Sequence, residues 1–193
     1  MTLQNGAGHE DLLKEFVDED HIVIGTTEDN GAVLGMGHVR RGGTGVTNVG
    51  MLVEDKEGFL PQLKEAFDQC GFNVKIHENI QTLIWDKLFT NVSLSALTGV
   101  LQVDMGYIAA NEYAWDLCCQ LIHETVKTAA AAGLNFDEEK VREKVKNTSI
   151  NNPNGCTSIR ADLRDGRRTE VDTISGAVVR AAHKYGVEVP GHE

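Results

Sequence analysis

Nowhere in the 193 residues does an apolar run approach the about 20 positions that a membrane-spanning helix needs. The opening Met-Thr-Leu-Gln-Asn-Gly lacks the basic-then-apolar layout of a signal peptide, so the soluble cytoplasm is the expected setting. Basic residues are scarce: 18 Lys+Arg stand against 29 Asp+Glu, a formal charge of −11. That balance argues against a nucleic-acid binder, which needs a basic surface to displace counterions, and against a polybasic membrane anchor. The four cysteines (Cys70, Cys118, Cys119, Cys156) form no C-x-x-C pair and are too few for a disulfide framework. They are expected to be reduced and mostly buried. The seven histidines make neither H-x-x-x-H nor H-E-x-x-H; His123-Glu124 reads as a surface pair, and no metal is expected.

What is present is the composition of a globular protein, 41% hydrophobic and 24% charged, long enough for one ordinary domain or two small ones. The pattern changes near residue 79. Before it, β-rich runs alternate with turns and short helices. Thr2-Leu3-Gln4 reads as a strand, residues 10–17 as a short helix with Leu12, Leu13 and Phe16 on one side, and residues 21–25 as a buried strand. Strands are also expected over 32–39 and 46–53, a helix over 60–70 ended by Gly71, and a strand over 72–76. After residue 79 the period is 3.6. Ile80, Leu83, Ile84, Leu88 and Val92 form one stripe; a long helix covers 112–132 and stops at Gly133; Asp137 caps the next, which holds residues 140–146. A polar loop is expected over 147–155, then helix from 158 to 185 with a break near Asp165-Gly166, and Gly186 and Pro190 past its end. The fold class is an α/β remnant over 1–78 followed by an all-α domain over 79–193.

Three segments carry candidate chemistry. Gly42-Gly43-Thr44-Gly45 lacks the third glycine and the following helix that a dinucleotide loop requires, so a hairpin turn is the better reading. Lys87, Asn91 and Ser95 are spaced i, i+4, i+8 beside the apolar stripe, a line that faces a cleft or bulk water. In a cleft, a partly desolvated lysine can donate a proton or stabilise negative charge developing on oxygen; spacing alone favours a solvated surface lysine. In the third segment Ser158 suits a helix N-cap, and Glu170 sits early in a helix whose Val171, Ile174 and Val178 pack inward. Glu170 orients a lysine or binds a substrate hydroxyl; by residue type alone it reads as a first-turn acid favoured by the helix dipole, paired with Arg167.

The order of these segments resembles the ketopantoate reductase (2-dehydropantoate 2-reductase) family. The matching motifs are Asn5-Gly6-Ala7-Gly8, the run Gly45-Val46-Thr47-Asn48-Val49-Gly50, the helix Trp85-Asp86-Lys87-Leu88-Phe89-Thr90-Asn91, and Ser158 and Asp162 leading to the Arg167–Gly176 segment. Together they span nearly the whole chain. The resemblance implies NADPH-dependent reduction of the small 2-oxo acid 2-dehydropantoate to (R)-pantoate, on the route to pantothenate and coenzyme A. It implies a Rossmann-type domain, of which residues 1–78 are the C-terminal part, and a helical domain like the C-terminal part of 6-phosphogluconate dehydrogenase. By the same resemblance Lys87 is the general acid, Glu170 holds Lys87 or the substrate, Asn5 lies near the nicotinamide, and Asn91 and Ser158 bind substrate oxygens.

Two features depart from the family. Ser95 stands where a second asparagine is usual, and its shorter hydroxyl would reach substrate through water. The G-x-G-x-x-G loop and first strands are missing, and the chain stops short of the usual final helix, so it reads as a truncated reductase. Two alternatives stay open: a reductase of another branched 2-oxo acid, and a non-catalytic helical dimerisation module. A homodimer is compatible with either. Without a phosphate-cradling helix N-terminus, this polypeptide should bind NADPH weakly; titration followed by nicotinamide fluorescence is expected to show no tight, saturable phase.

Overall fold

Ile22, Val23 and Ile24 are consecutive β-branched residues, a run that suits a strand buried on both faces, and all three are almost fully buried. In the computed structural model, which describes residues 1–193, they lead into strand β1 (Val23–Thr27). The chain packs as two units, Met1–Gln4 with His9–Ile84 and Asn5–Gly8 with Trp85–Glu193.

In the first unit, β1 pairs antiparallel with β4 (Val46–Met51), from Val23 opposite Met51 to Thr27 opposite Thr47. β4 pairs parallel with β5 (Asn73–Ile76), and Thr2 makes a single parallel bridge to Ile24. Helix α2 (Phe59–Gln69) joins β4 to β5 and lays Leu60 over Val23, Val49, Met51 and Val74. Gly71 follows at φ +84°, the left-handed conformation in which a helix commonly ends.

Several expectations here are corrected. Residues 32–39 are not one strand: Met36-Gly37 turns between β2 (Asn30–Gly35) and β3 (His38–Gly43), which pair only with each other. Gly37 at φ +71° makes that turn, so Gly42 and Gly43 end β3 and Thr44-Gly45 links it to β4, and the run is not a hairpin turn. The first helix, α1, covers only His9–Leu13, leaving Leu12 and Phe16 exposed, and Thr2 contributes a bridge where a strand was expected.

The second unit is helical. One long helix is built from α3 (Ile80–Thr90, which begins in the first unit), a π turn (Asn91–Ser95) and α4 (Ala96–Leu101). Helix α5 (Met105–Ala110) is followed by α6 (Glu112–Ala131), capped by the Asn111 side chain and ended by Gly133 at φ +86°. Helix α7 (Glu138–Asn151) is capped by Asp137 as expected but continues through Asn151, so the polar loop starts later than its composition indicates. Ser149 explains the extension: its hydroxyl is buried and donates to the Met105 carbonyl at 2.6 Å. Helices α8 (Ser158–Arg164) and α9 (Ser175–Tyr185) complete the unit. Phe89, Leu94, Ile108, Cys118, Ile122 and Val145 form its core, and Phe136 meets Phe89 edge-on with centroids 4.8 Å apart.

The cysteines are all free thiols, but Cys70 and Cys156 are exposed, against the expectation that most are buried. Desolvation pushes the thiol of the buried Cys118 up to about 12, so it packs as an apolar group. No helix is long and apolar enough to cross a membrane.

His123 and Glu124 do not form the expected surface pair. His123 contacts Glu138 at 2.9 Å, whereas Glu124 is buried and both its oxygens accept the Gly191 backbone N–H at 3.0 Å. His192 locks the same tail: its Nε2 lies 3.1 Å from the Leu121 carbonyl and 3.0 Å from the Thr125 hydroxyl. A carbonyl only accepts, so Nε2 carries the proton and Nδ1, buried without a partner, is bare. Burial accordingly lowers the His192 pKa from 6.5. The unfolded chain therefore protonates this imidazole before the folded chain does, and its contribution to stability falls as pH drops below that value. Cooling of the thermal midpoint between about pH 7.5 and about pH 5.5 should be smaller in His192→Gln than in the parent.

Candidate functional site

Lys87 lies on α3 one turn before Asn91, and both side chains are half-buried. The regular 100° step of an α-helix then fails: the Ala96 N–H reaches back five residues to the Asn91 carbonyl, the hydrogen bond of a π turn. The inserted residue rotates everything that follows. Ser95 is consequently buried, and the straight line expected through Lys87, Asn91 and Ser95 is broken after its second member. Within the turn, the Ser93 hydroxyl donates to the Phe89 carbonyl at 2.6 Å. The widened turn thus keeps its polar groups satisfied inside the unit.

Ser158 is exposed and is the first residue of α8 rather than its cap. Thr157 is the cap: its hydroxyl accepts from the Arg160 N–H and lies 2.8 Å from the hydroxyl of Thr98 on α4. Thr98 spends its own proton on the Leu94 carbonyl at 2.7 Å, so Thr157 is the donor in the hydroxyl pair. That buried link fixes the start of α8 against the long helix. At Gly99 the helices approach so closely that a Cβ would fall 2.5 Å from the Ile159 side chain. Sequence reasoning missed Thr98 and Thr157; the adjacency of two cap-forming residues, Thr157-Ser158, was the available signal.

Glu170 precedes α9 by five residues, in a turn and not in a helix. Ile174 and Val178 pack inward as expected, but Val171 is exposed. Arg167 pairs with Asp162 and Asp165 at 2.8 Å, leaving Glu170 for a different partner. That partner is Asn5, whose amide Nδ2 donates to Glu170 Oε2 at 3.1 Å across 165 residues of sequence. The backbone beside them is equally close: the Ala7 N–H donates to the Thr173 carbonyl at 3.0 Å. Gly6, at φ +97°, would bring a Cβ to 2.0 Å from that carbonyl oxygen. Only glycine fits. The structure therefore brings Asn5 and Glu170 together, places Lys87 and Asn91 one turn apart, and sets Ser158 on a helix start tied to the same long helix.

Comparisons with known proteins point one way. The pattern of the family described as "Ketopantoate reductase PanE/ApbA C terminal" matches residues 79–193, and that described as "Ketopantoate reductase PanE/ApbA" matches residues 1–54. The chain is similar to 2-dehydropantoate 2-reductases of Halobacterium salinarum (30% identity over 190 residues) and Pyrococcus horikoshii (29% over 191). In both cases 98% of this chain matches 62% of the relative, so it spans less than two thirds of their length. Among solved structures, a D-mandelate dehydrogenase in complex with NADH shares 29% identity at a TM-score of 0.90, covering 98% of this chain and 64% of that one. A putative 2-dehydropantoate 2-reductase from Enterococcus faecalis shares 28% at 0.77, covering 98% and 62%.

The close approach at Gly6 gives a direct test. Gly6→Ala is expected to lower the stability of the second unit by about 1–3 kcal/mol, read as an earlier urea midpoint, because the turn must leave Thr173 to admit the methyl group.

Proposed function

Because the chain belongs to the ketopantoate reductase family, we propose that it carries the substrate-side chemistry of an enzyme reducing 2-dehydropantoate to (R)-pantoate with NADPH. The hydrogen bond between Asn5 and Glu170 is the observation that carries this reading. It sets an amide and a carboxylate side by side in the same unit that holds Lys87. A nicotinamide cofactor as a class is supported by the NADH complex of the similar D-mandelate dehydrogenase.

The residues fit one end of such a cofactor and not the other. The Gly42–Gly45 run ends β3 and leads into β4, so a pyrophosphate would meet no helix N-terminus there. Asn5, held by Glu170, offers a fixed amide to the nicotinamide end. The nicotinamide, when bound, supplies hydride to the ketone carbon. Negative charge then grows on the ketone oxygen, and the Lys87 ammonium stabilises it and delivers the proton. Glu170 holds Lys87 or a substrate hydroxyl, while Asn91 and Ser158 bind substrate oxygens. Ser95, one π turn beyond Asn91 and buried, acts through water.

A second reading changes only the substrate. Ser95 in place of an asparagine, and the 29% identity to a D-mandelate dehydrogenase, favour a different 2-oxo acid. Turnover of the active holoenzyme with NADPH on a panel of 2-oxo acids separates the two. The first reading expects 2-dehydropantoate to have the highest kcat/KM, and Lys87→Ala to lower kcat by about 10²–10⁴-fold with the Asn5–Glu170 turn intact. Unchanged turnover in Lys87→Ala would remove the general acid; preference for another acid would select the second reading.

A further inference from the structure

The long helix that holds Lys87 and Asn91 changes its hydrogen-bond step where the common causes of a kink are missing. Residues 80–98 contain neither proline nor glycine. The remaining cause is a side chain that inserts into the backbone ladder, and a serine or threonine hydroxyl does so by donating to the carbonyl four residues back. Two hydroxyls do so here. That of Ser93 donates to the Phe89 carbonyl at 2.6 Å. That of Thr98 lies 2.7 Å from the Leu94 carbonyl and 3.3 Å from the Ser95 carbonyl, both inside the π turn.

The two hydroxyls differ in what else they hold. Thr98 also receives the Thr157 proton, so it serves the contact between α4 and α8. Ser93 serves the turn itself. Ser93, Phe89 and Cys118 are all fully buried, and the Cys118 thiol on α6 faces the same hydroxyl. The place of this bond along the helix gives it a consequence for the site. Lys87 belongs to the regular α3, whereas Asn91 is the first residue of the π turn. The Phe89 carbonyl stands midway between them, two residues from each. A bond that fixes this carbonyl therefore acts on how Asn91 is aimed, while Lys87 keeps the regular turn before it.

We infer that Ser93 is a positioning residue: its hydroxyl, by holding the Phe89 carbonyl, keeps the π turn open and aims the Asn91 amide at the substrate. This rests on the roles of Lys87 and Asn91 proposed above. Ser93 itself touches neither substrate nor cofactor. Its loss loosens the aim of the substrate-binding amide and leaves the proton donor in place. The signature is weaker substrate binding at nearly unchanged turnover. A residue needed only for folding gives the reverse pattern, fewer active molecules with an unaltered KM.

Ser93→Ala, Ser93→Thr and Lys87→Ala in the active holoenzyme test this, with kinetics taken on whichever 2-oxo acid the parent turns over best. Ser93→Ala is expected to raise KM about 3- to 10-fold, the loss of one well-directed hydrogen bond, with kcat within about twofold of the parent. Ser93→Thr keeps the hydroxyl and should recover most of the parent KM. Hydrogen–deuterium exchange reads the turn without turnover. In Ser93→Ala the amides of residues 94–96 should exchange about tenfold faster or more, while those of α6 keep the parent's protection. Unchanged exchange across the turn, or a lower kcat at the parent's KM, overturns the proposal. So does a Ser93→Thr enzyme that folds as the parent by circular dichroism yet keeps the raised KM; if that variant does not fold, Ser93→Ala decides alone. Unchanged turnover in Lys87→Ala instead overturns the general acid, and the KM and exchange of Ser93→Ala still judge the role of Ser93.

Discussion

The carbonyl oxygen of Thr173 occupies the space into which a side chain at residue 6 would project. A left-handed glycine is the single solution that lets the Asn5–Ala7 backbone lie against residues 170–173. The amide of Asn5 then has a fixed direction, toward Glu170, and the Ala7–Thr173 hydrogen bond keeps it there. Without that contact the two residues would be a loop asparagine near the start of the chain and a surface acid near its end. With it, they form a preorganised polar pair whose geometry no flexible side chain has to search for.

The long helix from Ile80 to Leu101 contributes in a different way. Its apolar residues Leu88, Phe89, Val92 and Leu94 are fully buried, so its axis is firmly held by packing. The π turn at Asn91–Ser95 interrupts the regular phase beside Lys87 and Asn91. Turns of this kind are uncommon and recur at functional sites, because they re-aim side chains without breaking the helix. The Thr98–Thr157 hydroxyl pair carries that positioning into α8, since the cap of α8 is itself one of the two partners. Rigid helices, and not loops, thus hold Lys87, Asn91 and the neighbourhood of Ser158.

Charge is distributed unevenly over an acidic chain. In the second unit acids are matched locally: Lys144 with Asp86, Arg160 with Asp104, and Arg142 with Glu138. Exposed pairs like these add little stability; the first two tie α7 to α3 and α8 to the start of α5, while the third lies within α7. Burial of Glu124 is a different matter. A carboxylate 4% exposed needs donors: the Gln120 side-chain amide donates to one oxygen at 2.9 Å, and the Gly191 backbone N–H, shared between both oxygens, brings the C-terminal segment onto α6.

Much of this was legible from residue order alone. The stripe Ile80, Leu83, Ile84, Leu88 and Val92, buried except for the half-buried Leu83, the cap at Asp137, and the stops at Gly71, Gly133 and Gly186 are local signals that the structure bears out. The family was also legible, because four short motifs in a fixed order are a one-dimensional property. What failed were features that depend on a distant partner. Helix α7 runs on through Asn151 because buried Ser149 finds the Met105 carbonyl; Val171 is exposed because α9 begins only at Ser175; residues 32–39 fold back because β2 and β3 pair with each other and with no other strand. By itself the sequence determined the period of each segment, the places where the backbone turns, and which residue types were on hand for chemistry. Only the tertiary structure decided that Asn5 meets Glu170, that Thr157 and not Ser158 caps α8, and that a π turn buries Ser95. Hydrogen bonds across tens to hundreds of residues, and one extra residue in a helical turn, leave no periodic trace in the chain that forms them.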